Sequence, residues 1–425
     1  MNRLSRPAVL GGAKAVTLDE KEANRHPVIT ADDEAAVLEV LRSGELSTHP
    51  VTRQLEDDYR EMFGARHAVA HSNGTTALLA AFFALDLQPG DEIIVPSATF
   101  WASVVPMLWV GAIPVFAESE TARLGLDPTD VEKKITSRTR ALVVVHLWGM
   151  PSKMTELFEI ATRHNLKIIE DASHAHGAAW RGRKCGTLGD VSVFSLQTNK
   201  LAPAGEGGIL LTGDDEINER VVCLGDMTRV LELSSPARRF AATTFGIKTR
   251  IAPLSAAVAR GQLKNLEARN RRRNDNLIYL SGRLEKLGLD TFLPPAHVSR
   301  VYFEYIIRYK PERGAMPLDI LVEALKAEGC DVSLPRYPLL HQQPIFTEGA
   351  FANIAALKNR NDISLPIYKP DALPQTEAAN RELIKLPSFP AANRELLDQY
   401  AQAFEKVLAH AEEIIANAKK AETRA

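Results

Sequence analysis

The 425-residue chain has few cysteines and few aromatic residues, and neither acidic nor basic residues are in clear excess. Its three cysteines, Cys185, Cys223 and Cys330, lie far apart and lack the C-x-x-C spacing of a zinc or redox site. The formal net charge is -2, from 51 basic and 53 acidic residues. This balance gives no reason to expect a nucleic-acid or membrane partner.

Long apolar runs are also missing. No run approaches the length of a membrane span, and the first residues lack the apolar stretch of a signal peptide. Together with cysteines that read as reduced thiols, this leads us to expect a cytoplasmic protein. Two phosphate-binding motifs are absent as well, the G-x-x-x-x-G-K loop and a G-x-G-x-x-G sequence after a strand.

From Thr30 onward, short apolar segments alternate with amphipathic helices, which predicts an α/β protein with a mainly parallel sheet covered on both faces. The length exceeds one typical domain. We expect residues 1–27 to form an extended arm on the body or on a partner subunit, and residues 28–252 to form the large domain. Residues 253–425 are expected to hold a linker helix, running to about Leu287, and a smaller C-terminal domain that ends in a helix from Asn393 to about Lys419.

Three polar segments each follow a predicted strand. The segment Ser72–Leu78 opens a helix and predicts either a phosphate site or plain N-capping by Ser72 or Asn73. Phe100 lies just after the next strand and predicts either an aromatic that stacks on a planar ring or a core residue. Asp171 ends an apolar strand, where a half-buried carboxylate needs a cation; a salt bridge or a helix cap is the alternative.

The fourth segment, Gly189–Gly208, places Lys200 in a loop between two strands, five residues after Ser195. Such a lysine is either an amine nucleophile or a solvated charge. Taken in order, a phosphate site, a stacking aromatic, an aspartate and a lysine describe a site for pyridoxal 5'-phosphate (PLP). His174 and His176 lack a third ligand at a suitable spacing, so we predict no metal.

These motifs resemble those of the DegT/DnrJ sugar aminotransferase family of the aspartate-aminotransferase superfamily (fold type I). The sequences VPSATFWAS, VHLWGMP, EDASHAHGA, FSLQTNK and GEGG carry the resemblance, which runs from Gly11 to Ser388. It implies a large PLP-binding domain around a mainly parallel, seven-stranded type of sheet and a smaller α+β C-terminal domain. It also implies a homodimer that moves an amino group from glutamate or glutamine to a keto-sugar or a ketocyclitol.

The resemblance assigns the site residue by residue. It implies that Lys200 is the Schiff-base lysine, Asp171 the partner of the ring nitrogen and Phe100 the stacking aromatic. It also implies that His174 lies near the ring oxygen of the cofactor. The implied phosphate ligands are Gly74, Thr75 and Ser195, and the implied substrate residues are Tyr337 and His341.

One position departs from the family pattern. The family usually has an asparagine in a G-x-N-x-R segment that reaches the phosphate of the neighbouring subunit, and this chain has Lys248 there. Two other functions stay open at this point. One is a PLP-dependent dehydratase or aromatising lyase on a cyclic aminoketone, and the other is a PLP-binding protein without catalysis. The resemblance also bears on the first of these, because the family's dehydratases carry histidine at the position of Lys200. The lysine therefore argues against such a dehydratase.

Overall fold

The computed structural model describes residues 5–310, 316–335, 337–360 and 362–422. Its strands are β1 (His67–His71), β2 (Glu92–Pro96), β3 (Ile113–Ala117), β4 (Thr139–Val145), β5 (Lys167–Asp171), β6 (Ala179–Trp180), β7 (Arg183–Lys184), β8 (Val191–Ser195), β9 (Gly208–Thr212), β10 (Val298–Ser299), β11 (Tyr305–Arg308) and β12 (Leu383–Leu386). Seven of them form the main sheet, in the order β1-β9-β8-β5-β4-β2-β3.

The helices surround this sheet and continue beyond it. They are α1 (Ala31–Ser43), α2 (Pro50–Phe63), α3 (Gly74–Ala84), α4 (Pro128–Lys134), α5 (Met154–His164), α6 (Asp215–Gly225), α7 (Met227–Glu232), α8 (Pro253–Lys264), α9 (Leu266–Leu284), α10 (Leu318–Ala327), α11 (Pro344–Thr347), α12 (Phe351–Ile354), α13 (Pro374–Asn380), α14 (Arg394–Ala409) and α15 (Ala411–Glu422). None of the helices in the described part of the chain is long and apolar enough to cross a membrane.

Six of the seven strands of the main sheet run in one direction, and β9 runs against them. The predicted α/β class with a mainly parallel sheet is therefore confirmed. Parallel strands end at the same edge of a sheet, so the carboxyl ends of β1, β2, β5 and β8 lie together. This edge is where open α/β sheets bind their ligands.

Local sequence signals explain several helix ends. The helix α1 begins after a capping box formed by Thr30 and Asp33, and it ends at Gly44 in a left-handed conformation. The expectation of one helix from Pro253 to Leu287 is wrong, because the helix is interrupted at Asn265 between α8 and α9. The last helix is also broken, at His410, where the backbone leaves helical geometry at φ -115° and ψ 24°.

The apolar side chains form two buried clusters. The larger one packs on both faces of the main sheet, and the smaller one joins α9, α10 and α14 with the two-stranded sheet of β11 and β12. The N-terminal segment lies on the smaller cluster. There Val16 is buried, and its amide N–H donates to the Glu328 carbonyl over 2.9 Å. A buried ion pair of 2.8 Å joins Lys406 to the Glu328 carboxylate beneath this segment.

Candidate active site

A cavity of about 500 Å³ opens at the edge where β1, β5 and β8 end. Its size falls within the range of small-molecule sites. The structure brings eight of the ten predicted site residues together in its wall, namely Gly74, Thr75, Phe100, Asp171, His174, Ser195, Lys200 and Tyr337. These residues come from segments spread over more than half of the chain, so their meeting is a property of the fold.

One end of the cavity is formed by the start of α3. The side chain of Asn73 caps this helix by accepting a hydrogen bond from the Thr76 amide over 2.8 Å. Of the two residues predicted as possible caps, Asn73 caps the helix, and the phosphate site stays a prediction. The next two residues, Gly74 and Thr75, face the cavity at the helix N-terminus, where free N–H groups favour an anion. Gly74 lies so close to Ser195 that an added Cβ would be 2.7 Å from the Ser195 Cβ.

Asp171 occupies another part of the wall. It is the last residue of β5 and is 5% exposed. Its carboxylate accepts a hydrogen bond of 2.7 Å from the Ser103 hydroxyl and one of 3.1 Å from the Ser173 amide. In the part of the chain that the structure describes, Asp171 has no ion-pair partner. A buried carboxylate with only neutral donors is suited to a cation within the cavity.

Lys200 is 8% exposed and is held from two sides. Its carbonyl oxygen accepts a hydrogen bond of 2.8 Å from Nε2 of His26, and its Nζ lies 4.2 Å from the ring centroid of Phe303. Burial lowers the pKa of His26 to about 4, and the positive charges of Arg273 and Arg269 contribute. The His26 ring is therefore neutral near pH 7, and its Nε2–H is the donor. The sequence reasoning missed both His26 and Phe303.

His174 is fixed in one tautomer by its neighbours. Its Nδ1 accepts a hydrogen bond of 3.3 Å from the Trp148 amide, so the proton of the neutral ring is on Nε2. Nε2 then faces the Tyr337 hydroxyl over 3.3 Å. His176, two residues further on, is fully buried against Tyr59 and has its pKa lowered to about 3, mainly by burial. Only the first of these two histidines lines the cavity.

A comparison with known protein families shows to which family the chain belongs. The DegT/DnrJ/EryC1/StrS aminotransferase family matches residues 27–405, which is most of the chain. The chain belongs to this family. It is an aminotransferase, and its resemblance in motifs and its predicted activity are both confirmed.

Two aminotransferases and one solved structure show how far the likeness to known proteins extends. The dTDP-3-amino-3,4,6-trideoxy-alpha-D-glucose transaminase of Streptomyces venezuelae is 35% identical over 379 residues, covering 89% of this chain and 92% of its own. The L-glutamine:scyllo-inosose aminotransferase of Streptomyces griseus is 33% identical over 379 residues, covering 85% and 87%. The crystal structure of DesI in the presence of its TDP-sugar product superposes with a TM-score of 0.80, at 28% identity, and covers 98% of this chain and 100% of DesI.

Two predicted site residues of this aminotransferase lie outside the cavity wall. His341 is buried behind it, where its Nδ1 is 2.6 Å from the Ser97 hydroxyl and its Nε2 is 3.1 Å from the Pro370 carbonyl. It thus anchors the loop that leads to Phe100. Lys248 is exposed in this chain, and its expected contact is with the neighbouring subunit, so its role stays a prediction.

Proposed function

We propose that the chain uses PLP to move an amino group from glutamine or glutamate to a keto-sugar or a ketocyclitol. The observation that carries the proposal is the meeting of Lys200, Asp171 and the start of α3 in one cavity. An amine, a buried carboxylate and an anion site match the aldehyde, the ring nitrogen and the phosphate of PLP.

The residues that line the cavity fit the separate chemical groups of PLP. Gly74, Thr75 and Ser195 would hold the phosphate, and the absence of a Cβ at position 74 keeps the gap to Ser195 open. Asp171, whose hydrogen bonds from described residues come from the neutral donors Ser103 and Ser173, would hold the protonated ring nitrogen. Phe100 lies on the rim and would pack on the ring.

When bound, PLP would supply an electron-withdrawing ring that stabilises negative charge on the substrate carbon. The chain's own part is to place groups around it. Nζ of Lys200 would bond the cofactor and leave it when the amino donor arrives. The freed amine would then take a proton from the donor carbon and give it to the cofactor carbon that the lysine has left. The Asp171 carboxylate would keep the ring nitrogen charged throughout, because burial gives the pair a low-dielectric surrounding.

The acceptor class follows from the names of the relatives. One of them is an L-glutamine:scyllo-inosose aminotransferase and another is a transaminase of a dTDP-linked sugar. Both names describe the making of an amino sugar or an amino cyclitol. We extend this acceptor class to the present chain and favour glutamine as its donor.

A half-reaction screen tests the proposal. The PLP-loaded protein is mixed with glutamine, glutamate or alanine, and absorbance follows the conversion of PLP to pyridoxamine phosphate. We expect conversion with glutamine or glutamate and a return to PLP when a ketocyclitol or a dTDP-linked keto-sugar is added. Lys200→Ala serves as the inactive control. If no amino acid converts the cofactor, the proposed function is wrong.

We also propose a homodimer, the predicted domain division and a cytoplasmic location. Exposed apolar side chains near the cavity support the dimer: Phe100 and Trp101 on the rim, and Phe245 and Ile247 beside Lys248, are each more than a third exposed. The buried, unpaired cysteines suit a reducing compartment. Sedimentation of a fully active monomer would contradict the dimer.

A further inference from the structure

The amine of Lys200 lies over an aromatic ring in a buried place. Its Nζ is 4.2 Å from the centroid of Phe303, and Phe303 is only 6% exposed. The face of an aromatic ring carries partial negative charge, so it attracts an ammonium group, and the attraction is stronger where water is excluded. Both side chains line the cavity, which makes the contact part of the site.

The ring itself is held firmly. Phe303 stacks on His174, with ring centroids 4.1 Å apart and planes inclined by 18°. His174 stacks in turn near Trp148, and Trp148 lies almost parallel to Tyr337 at 5.0 Å. The hydrogen bonds of His174 to the Trp148 amide and to Tyr337 keep this stack in register. Phe303 therefore links the lysine to a rigid wall of four rings.

We propose that Phe303 is a positioning residue, which holds the ε-amine of Lys200 against the cavity wall whenever the lysine is not bonded to the cofactor. The inference rests on the proposed function. The amine would leave the cofactor in the first half-reaction, move a proton in each half-reaction, and bond the cofactor again only at the end of the second. A lysine side chain has four flexible carbons, so a ring that attracts the ammonium form keeps Nζ in the cavity after it has taken the proton and until it gives the proton up.

The contact also has a consequence for protonation. The ring stabilises the ammonium form, so the amine should become neutral at a higher pH than it would without the ring. Other titratable groups face the same space and act alongside it: Asp171, His174, Glu206 and Tyr337 line the cavity, and His176 is close enough to feel the charge of Lys200.

The test measures how Lys200 reacts in the full chain freed of cofactor. Trace acetylation across a pH series, read out by peptide mapping, reports the fraction of neutral amine at this one lysine. We expect Phe303→Leu to lower the midpoint of the profile by about one pH unit, and Phe303→Tyr to restore it. Phe116→Leu is the matched control, since Phe116 is equally buried in the larger cluster.

A second variant avoids any doubt about folding. A phenylalanine with a fluorinated ring at position 303 keeps the shape and weakens the negative face, so the midpoint should fall with each added fluorine. In the loaded enzyme, the rate of the glutamine half-reaction should fall about tenfold in Phe303→Leu, while PLP affinity stays constant. A fluorinated profile that superposes on that of the wild type overturns the inference. Failure of PLP to bond Lys200 in the wild type overturns the proposed function instead, and the profile without cofactor still tests the contact.

Discussion

The close approach of Gly74 to Ser195 leads to a quantitative prediction for Gly74→Ala. The new methyl carbon would be 2.7 Å from the Ser195 Cβ and 3.1 Å from its Oγ, closer than such carbons are found to lie. The start of α3 and the end of β8 must then move apart. Overpacking of this kind costs about 1–3 kcal/mol. Because both elements supply the proposed phosphate ligands, PLP affinity should fall by about tenfold or more.

The assay combines a PLP titration followed by absorbance with urea unfolding of the protein without cofactor. Gly282→Ala is the matched control, since Gly282 is exposed within α9 and an added Cβ would meet nothing within 4 Å. That change should leave PLP affinity unaltered and stabilise the protein by about 0.5–1 kcal/mol. If Gly74→Ala binds PLP and unfolds in urea as the wild type does, the role given to the gap between Gly74 and Ser195 is refuted.

Three further predictions concern charge. Asp171→Asn should change the stability of the protein without cofactor little: the amide oxygen can still accept from the Ser173 N–H, and the NH2 group can donate to the Ser103 hydroxyl, whose own proton can turn to Thr99. Turnover should fall about a hundredfold or more, as the loss of a buried pair costs about 3–5 kcal/mol; a much less stable apoprotein would contradict this. His176, with a pKa near 3, should resist protonation until the chain unfolds, so stability should be constant above about pH 6.5 and fall by about 2 kcal/mol by pH 5 on its account. Urea unfolding at pH 7 and pH 5 should show a smaller loss of unfolding free energy on acidification in His176→Gln than in the exposed control His297→Gln. Equal losses in the two variants would contradict this prediction. Lys248→Ala should weaken PLP binding about tenfold if the lysine reaches the neighbour's phosphate, and unchanged affinity would make it a surface residue.

Much of the cavity wall could be predicted because its residues follow strands of one parallel sheet. Ser195, Asp171 and Phe100 each end or closely follow a strand, and parallel strands bring such ends together whatever their separation in the chain. The helix α2 escaped prediction although Pro50 at its first position and Gly64 just after its end are ordinary start and stop signals.

The remaining contacts have no local signal. His26 reaches the Lys200 carbonyl across 174 positions of sequence, and nothing in the N-terminal segment marks it as a partner. Phe303 belongs to an apolar segment in which any aromatic side chain would read as core. His341 reads as a polar loop residue, and only the fold shows that it bonds to Ser97. Such partners depend on how distant segments pack.

Borohydride reduction tests the central claim most directly. The protein is mixed with PLP, reduced, digested and mapped by mass spectrometry, with Lys200→Ala treated in parallel. We predict that the cofactor is fixed on the peptide that contains Lys200 and that Lys200→Ala carries none. Among the lysines that the structure describes, Lys200 alone is buried in the cavity beside the carboxylate and the anion site. Attachment to a different lysine, or equal labelling of both proteins, would contradict the account.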